Sequence, residues 1–331
     1  MRKITVHRNI NVNWPRYHTF FYTNFINDFL KPNFQVEEIN WAKGENGEHV
    51  TIQFPHECGN LKKSPILYDV DCAIVNEDTK KYVVMSFGEY FNHGVVHFLK
   101  NDHCEKVLLT HFNSSYLYER LKRDGMSHKY NIVSPWFFGS FCKYDIHKWR
   151  NIRSSVENKD KLFFRGSGID SYRKTLKTLA GKEYFVGPQG RSENEYFTDM
   201  CNAKMGLSHY MDLDLPVNAF QHCGEYCYRD MEYMSIGLPF IRIEFTDSLY
   251  NDLIPGKHYI SIPRDIAWVA YTKEGNAGVA KLYEEYYNKF KDDEEYLKLI
   301  SKNQLEWYDN NCLWSASGKL TWDLLNLNSW K

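Results

Sequence analysis

The stretch at residues 224–242, Gly-Glu-Tyr-Cys-Tyr-Arg-Asp-Met-Glu-Tyr-Met-Ser-Ile-Gly-Leu-Pro-Phe-Ile-Arg, constrains this chain more than any other. Its second half has the spacing of an amphipathic helix, Gly237 and Pro239 stop that helix, and Phe240-Ile241-Arg242-Ile243 follows as a buried strand. Arg229 and Glu232, three residues apart, fall on one face of the helix. A cation and a carboxylate presented together near a helix start suit a ligand with phosphates at one end and sugar hydroxyls at the other. That chemistry is a nucleotide sugar.

The chain has 331 residues, enough for two domains of roughly 150 residues each. Hydrophobic residues make up 43% and charged residues 25%, so both domains can bury cores and large-scale disorder is not expected. Lys and Arg total 41 against 42 Asp and Glu, which leaves no electrostatic footprint for wholesale nucleic-acid binding. Any phosphate site must therefore be local. Aromatics reach 16%; most are expected in cores, and some are candidates to stack on the C–H faces of a sugar. The first residues carry charge without an apolar run behind them, and no stretch of about 20 apolar residues follows, so a cytoplasmic protein without a transmembrane segment is expected. The 8 cysteines are expected to be reduced and mostly buried, and Cys223 and Cys227 lack the spacing of a redox or zinc pair.

Taken in order, residues 4–6 and 34–39 read as strands around a helix at about 20–30, which Pro32 stops. Strands are expected at 66–68, 72–75, 82–87 and 107–109, with a turn at 76–80, a helix ending near Arg123, and a further strand at 131–133. The loop Ser134-Pro135-Trp136-Phe137-Phe138-Gly139 either receives a sugar or plugs a seam, and the seam is the better fit. Polar residues 151–160 read as the linker. The expected domains are 1–150 on the acceptor side, 151–310 on the nucleotide-sugar side, and a Trp-rich segment at 311–331 that packs back on the first. In the second domain, short strands at 162–164, 184–186, 204–208, 240–243 and 259–262, with a helix from about 171, describe an open parallel sheet whose ligand edge lies at the strand C-termini. Helices at about 277–291 and 294–309 close it.

Three elements in this order carry a resemblance: Phe163-Phe164-Arg165-Gly166-Ser167 with Arg173; Tyr228-Arg229-Asp230-Met231-Glu232 with Gly237; and Leu253-Ile254-Pro255 before His258-Tyr259-Ile260. Together, over about residues 160–265, the chain resembles the capsule-associated and protein O-glucosyltransferase-like family of glycosyltransferases. The spacing from Arg229 through Glu232 to Gly237 is also similar to that of the exostosin family. The resemblance implies an α/β fold of GT-B type, two Rossmann-like domains facing across a cleft. It implies that Arg229 contacts the diphosphate and Glu232 the ribose hydroxyls. Arg165, Gly166 and Ser167 would meet the phosphates or base, and Arg173, Glu225 and Tyr228 would complete the donor site. Guanidinium contacts would neutralise the leaving nucleoside diphosphate, so the implied reaction needs no cofactor or metal beyond the nucleotide diphosphate sugar itself.

In the Glu-x7-Glu signature of two-domain glycosyltransferases the first carboxylate would fall at Gly224, whereas this chain has Glu225. That favours an inverting reaction, which needs a general base from the first domain. Glu89 is the first candidate, because it follows a strand and Gly88; Asp71 and His111 are the others. His258 and Tyr259 are expected to brace their strand. The plain alternative for Arg229 and Glu232 is an exposed ion pair on a solvated helix face. Two other readings stay open: a metal-dependent GT-A enzyme using Asp69-Val-Asp71 or Asp212-Leu-Asp214, and a sugar-binding module without turnover.

Overall fold

The computed structural model describes residues 1–8, 16–40, 72–86, 98–110, 114–136, 146–157, 161–164, 193–208, 228–244 and 253–331. The chain divides into two compact units, Met1–Lys143 with Trp314–Lys331, and Tyr144–Leu313. Both are α/β.

In the first unit β1 (Lys3–Arg8), β2 (Gln35–Asn40), β3 (Cys72–Asn76), β4 (Tyr82–Ser86), β5 (Cys104–Leu109) and β6 (Val133–Pro135) form one sheet in the order β2-β1-β3-β4-β5-β6. The pairings are parallel except around β3, which is antiparallel to both β1 and β4. The turn after β3 explains its reversal, because so short a connection can join only antiparallel strands. The Asn76 side chain accepts from the backbone N–H of Asp78 and Thr79, and Lys80 takes a left-handed φ of 60° to close the hairpin. Reversal carries the start of β3 to the same sheet edge as the ends of β4 and β5.

Helix α1 (Arg16–Phe25), which runs on as a wider π turn over Ile26–Leu30, and α2 (Ser114–Arg123) belong to this unit. So does the segment after Trp314. The Trp314 ring stands edge-on to Phe21 and Phe29, its Nε1–H donates to Asp28 at 2.8 Å, and the Trp322 ring packs on Phe34. Trp136 is 2% exposed and donates its Nε1–H to Thr321 at 3.0 Å, so it is packing and not a sugar platform. Trp307, grouped with these tryptophans in the sequence, belongs instead to the second unit.

The second unit opens with α3 (Ile146–Ser155). Residues 151–155, read as linker from their polarity, are helical because Ile146, Trp149 and Arg153 form a buried stripe along one face. Strands β7 (Lys161–Phe163), β8 (Ala203–Leu207), β9 (Phe240–Ile243) and β10 (Ile260–Ile262) pair in sequence order, all parallel. Helices α4 (Glu193–Cys201) and α5 (Tyr228–Ser235) lie between strands, and α6 (Arg264–Phe290) and α7 (Glu294–Asn311) follow the sheet. Helix α6 begins well before the expected residue 277 and kinks at Gly275, whose φ is 59°. Leu207, Ile241, Ile243, Ile260 and Ile262 of the strands meet Val279, Tyr283 and Ile300 of these helices in one core. Each fully buried Leu or Ile there contributes roughly 1.5–3 kcal/mol.

Helix α8 (Trp314–Leu324) returns to the first unit. Cys72, Cys104, Cys201 and Cys312 are buried free thiols, while Cys58, Cys142, Cys223 and Cys227 lie outside the described residues. Among the described residues no helix is long and apolar enough to cross a membrane.

Candidate functional site

The site grows from the connection between β8 and β9. A helix linking two parallel neighbours runs back against them, so the first turn of α5 lies at the carboxyl edge of the sheet. Tyr233 fixes it there: its Oη–H group lies 2.9 Å from the Leu207 carbonyl and 3.3 Å from that of Phe163, at the ends of β8 and β7. The Tyr233 ring lies against Gly206, where an added Cβ would come within 2.7 Å of it. At the other end, the N–H of Gly237 donates to Met234 and that of Leu238 to Tyr233, at 3.2 and 2.8 Å. With Gly237 at φ 66° this is a Schellman ending, and β9 begins three residues later.

Asp230 is the buried anchor of the first turn. It is fully buried, accepts from Arg242 Nη1 at 2.5 Å and from the Ser208 hydroxyl, and so ties α5 to β9 and to the residue that ends β8. The Tyr283 hydroxyl in turn donates to the Ser208 carbonyl at 3.0 Å. Sequence reasoning did not single out this network, although a signal was present. An Arg inside Phe-Ile-Arg-Ile, a strand with every residue buried, demands a carboxylate nearby.

Arg229 and Glu232 flank that anchor. The Arg229 guanidinium is half-buried and lies 4.8 Å from the centroid of the Phe164 ring. Phe164 is fully buried at the end of β7, immediately before Arg165. The two sequence elements thus meet in space at Phe164. Glu232 is 8% exposed, and its Oε2 accepts from the Tyr196 hydroxyl of α4 at 2.5 Å. Burial, and then the Glu232 carboxylate, push the Tyr196 phenol well above its usual range, which keeps it a donor. An exposed ion pair on a solvated face is therefore not what these two residues form. Tyr228 opens α5.

No family model and no curated protein matches the chain. Among solved structures it is similar to a sucrose-phosphate synthase from Thermosynechococcus elongatus at 13% identity, covering 93% of this chain and 72% of that one, with a TM-score of 0.44. It is also similar to TarM at 9% identity, covering 77% of this chain and 61% of that one, with a TM-score of 0.36.

Arg165, Gly166, Ser167, Arg173 and Glu225 lie outside the described residues, as do the strands expected at 66–68 and 184–186 and the helix from 171. The same holds for the candidate bases Asp71, Glu89 and His111 and for Asp69, Asp212 and Asp214. Their described neighbours in the first unit do converge. Cys72, Ser86 and Thr110 sit at one edge of adjacent strands, with Cys72 paired to Met85, Ser86 paired to Leu109, and the Thr110 N–H donating to Ser86 at 3.1 Å.

His258 and Tyr259 brace the fold, as their sequence setting suggests. His258 is 5% exposed and its Nδ1 accepts from the Ile254 N–H at 2.8 Å, while Gln304 donates to its carbonyl at 2.8 Å. Burial, helped by Lys257, lowers its pKa from 6.5 to about 4. Tyr259 is fully buried and stacks on Phe240.

Proposed function

We propose that the chain is a glycosyltransferase of GT-B architecture. It would move a monosaccharide, glucose or xylose, from a nucleotide diphosphate sugar such as a UDP-sugar to a hydroxyl of a glycan or protein, with inversion and without a metal, in the cytoplasm. One observation carries this reading. At the carboxyl edge of an all-parallel sheet, the first turn of α5 presents a guanidinium stacked on Phe164 and, one turn on, a carboxylate fixed by Tyr196. A stacked guanidinium holds its forked N–H edge in one plane, which suits two phosphate oxygens.

In this reading Arg229 contacts the diphosphate and Glu232 the ribose hydroxyls, and Arg165 and Ser167 meet the phosphates from the loop that follows Phe164. The acceptor oxygen attacks the anomeric carbon as the bond from that carbon to the diphosphate breaks. The electron pair leaves with the nucleoside diphosphate, whose added charge Arg229 and Arg165 take up. The acceptor's proton passes to a base, for which Glu89 is proposed first and Asp71 and His111 next.

The test is nucleoside diphosphate release from a panel of nucleotide sugars. Arg229→Ala is expected to reduce it by about 10²–10³-fold without lowering the melting temperature. Near-normal turnover would refute the role. Activity is expected to survive EDTA; complete loss restored by manganese would favour the Asp-x-Asp reading instead.

A further inference from the structure

The other end of α5 borders a second feature. A cavity of about 650 Å³ is walled by residues that include Lys204 at the start of β8, Ile236 and Pro239 just before β9, Arg153 of α3, and Leu297, Lys302 and Leu305 of α7. It lies at the amino edge of the sheet, opposite the site above. Its volume falls within the roughly 300–1,000 Å³ of small-molecule sites.

The wall has two characters. Ile236 and Leu297 are buried and, with Leu305 and Pro239, supply an apolar surface. Against it stand Arg150, Arg153, Lys204, Lys298 and Lys302, with only Glu157 and Glu294 of opposite sign in the wall. Arg150 is committed to Asp309 through two bonds of 2.7 and 3.1 Å, and Lys298 faces Glu294 at 3.5 Å. Lys204 and Lys302 form no ion pair among the described residues.

Arg153 is the informative member. It is 8% exposed, and its Nε and Nη1 donate to the carbonyls of Gly237, Cys201 and Ala203 at 3.2, 3.2 and 2.7 Å. Its Nη2 has no hydrogen-bond partner among the described residues, although the side chain forms part of the cavity wall. Burial pulls its pKa down to about 10, so its charge is held at a cost that an anion in the cavity would offset. A guanidinium more than nine-tenths buried, with a donor turned to a cavity and two unpaired ammonium groups on the rim, is a built anion site; the apolar wall asks for more than an ion.

We propose that this cavity binds an amphipathic phosphate monoester free in solution. Arg153, Lys204 and Lys302 hold the phosphate, and Ile236, Leu297 and Leu305 hold the apolar body. Because Ile236 and Gly237 end the helix that begins with Arg229, such a ligand would act on the element that carries the proposed donor site without touching that site.

Titration calorimetry with octyl phosphate below its micelle concentration tests this. One saturable site per chain is expected. Octanol and inorganic phosphate should each bind at least about tenfold more weakly, and so should octyl phosphate to the Lys204→Gln/Lys302→Gln variant, since each charge-assisted bond is worth about 1.5–3 kcal/mol. If the double variant melts early, Lys302→Gln alone, on the exposed side of α7, serves with a proportionate loss. Absence of saturable binding, equal binding of octanol or inorganic phosphate, or an unaffected variant would each overturn the proposal. Sedimentation with phosphatidic acid vesicles in the absence of octyl phosphate binding would assign the cations to a lipid surface and overturn it as well. None of these outcomes depends on transferase activity.

Discussion

Asp230 and Arg242 are almost sealed from water, at 0% and 2% exposure, and each is the other's charge partner. Removing one leaves a buried charge without compensation. Asp230→Ala is therefore expected to destabilise the fold by about 3–5 kcal/mol in urea melts, and Asp230→Leu with Arg242→Met together by much less. A single-variant cost under about 1 kcal/mol would show that the pair does not anchor α5. His258 gives a second prediction. Its folded pKa of about 4 lies below the ordinary 6.5, so between those values the unfolded chain binds a proton that the native chain refuses. Stability is complete above pH 6.5 and should fall as pH drops toward 4, by roughly 1.4 kcal/mol per unit at most. His258→Asn, which keeps an acceptor for the Ile254 N–H without titrating, should flatten that slope in melts across pH; an unchanged slope would place the titration elsewhere. Residues of this kind were only partly legible in the sequence. Arg229 and Glu232 stood out because they share a helical face, whereas Asp230 points the other way and shows its purpose only once β8 and β9 are beside it.

At the scale of elements, α5 owes its position to two glycines. Gly206 leaves room for the Tyr233 ring, and Gly237 turns the chain at a positive φ with Ser301 close by, where a Cβ would meet the Ser301 Oγ at 2.7 Å. Gly206→Ala drives a Cβ into a ring that cannot retreat without giving up its bonds to Leu207 and Phe163. It is expected to cost about 1–3 kcal/mol and to weaken nucleotide binding through displacement of α5; a variant with unchanged melting temperature and affinity would contradict this. The order of helix, Gly-x-Pro stop and buried strand was readable from residues 224–243, because apolar period and stop signals agree there. Helix α3 was not. Its buried stripe includes Arg153, and a polarity count cannot distinguish a buried Arg that serves three backbone carbonyls from a solvated one. The reach of α6 back to Arg264 was hidden by Gly275, whose left-handed φ bends the helix without ending it.

For the molecule as a whole, composition and strand spacing were enough to indicate two sheet-based α/β units, since length and apolar content allow two cores and short strands alternate with helices. They did not reveal that β3 runs backwards within the first unit, although the turn at 76–80 implies it once the two strands are required to pair. Nor did they divide the tryptophans, because burial by α1 or by the second unit's sheet looks the same in sequence. The central claim is that the carboxyl edge of the second unit's sheet, at the first turn of α5, holds a nucleoside diphosphate. The direct measurement is the melting temperature with and without UDP and GDP for the wild-type chain and for Arg229→Ala. Binding at 100 times Kd would stabilise the native chain by about 2.7 kcal/mol, a shift of a few degrees, and Arg229→Ala should abolish that shift while melting normally in the absence of nucleotide. No shift of the wild-type chain with any uridine or guanosine diphosphate, or the same shift in the variant, would contradict the account.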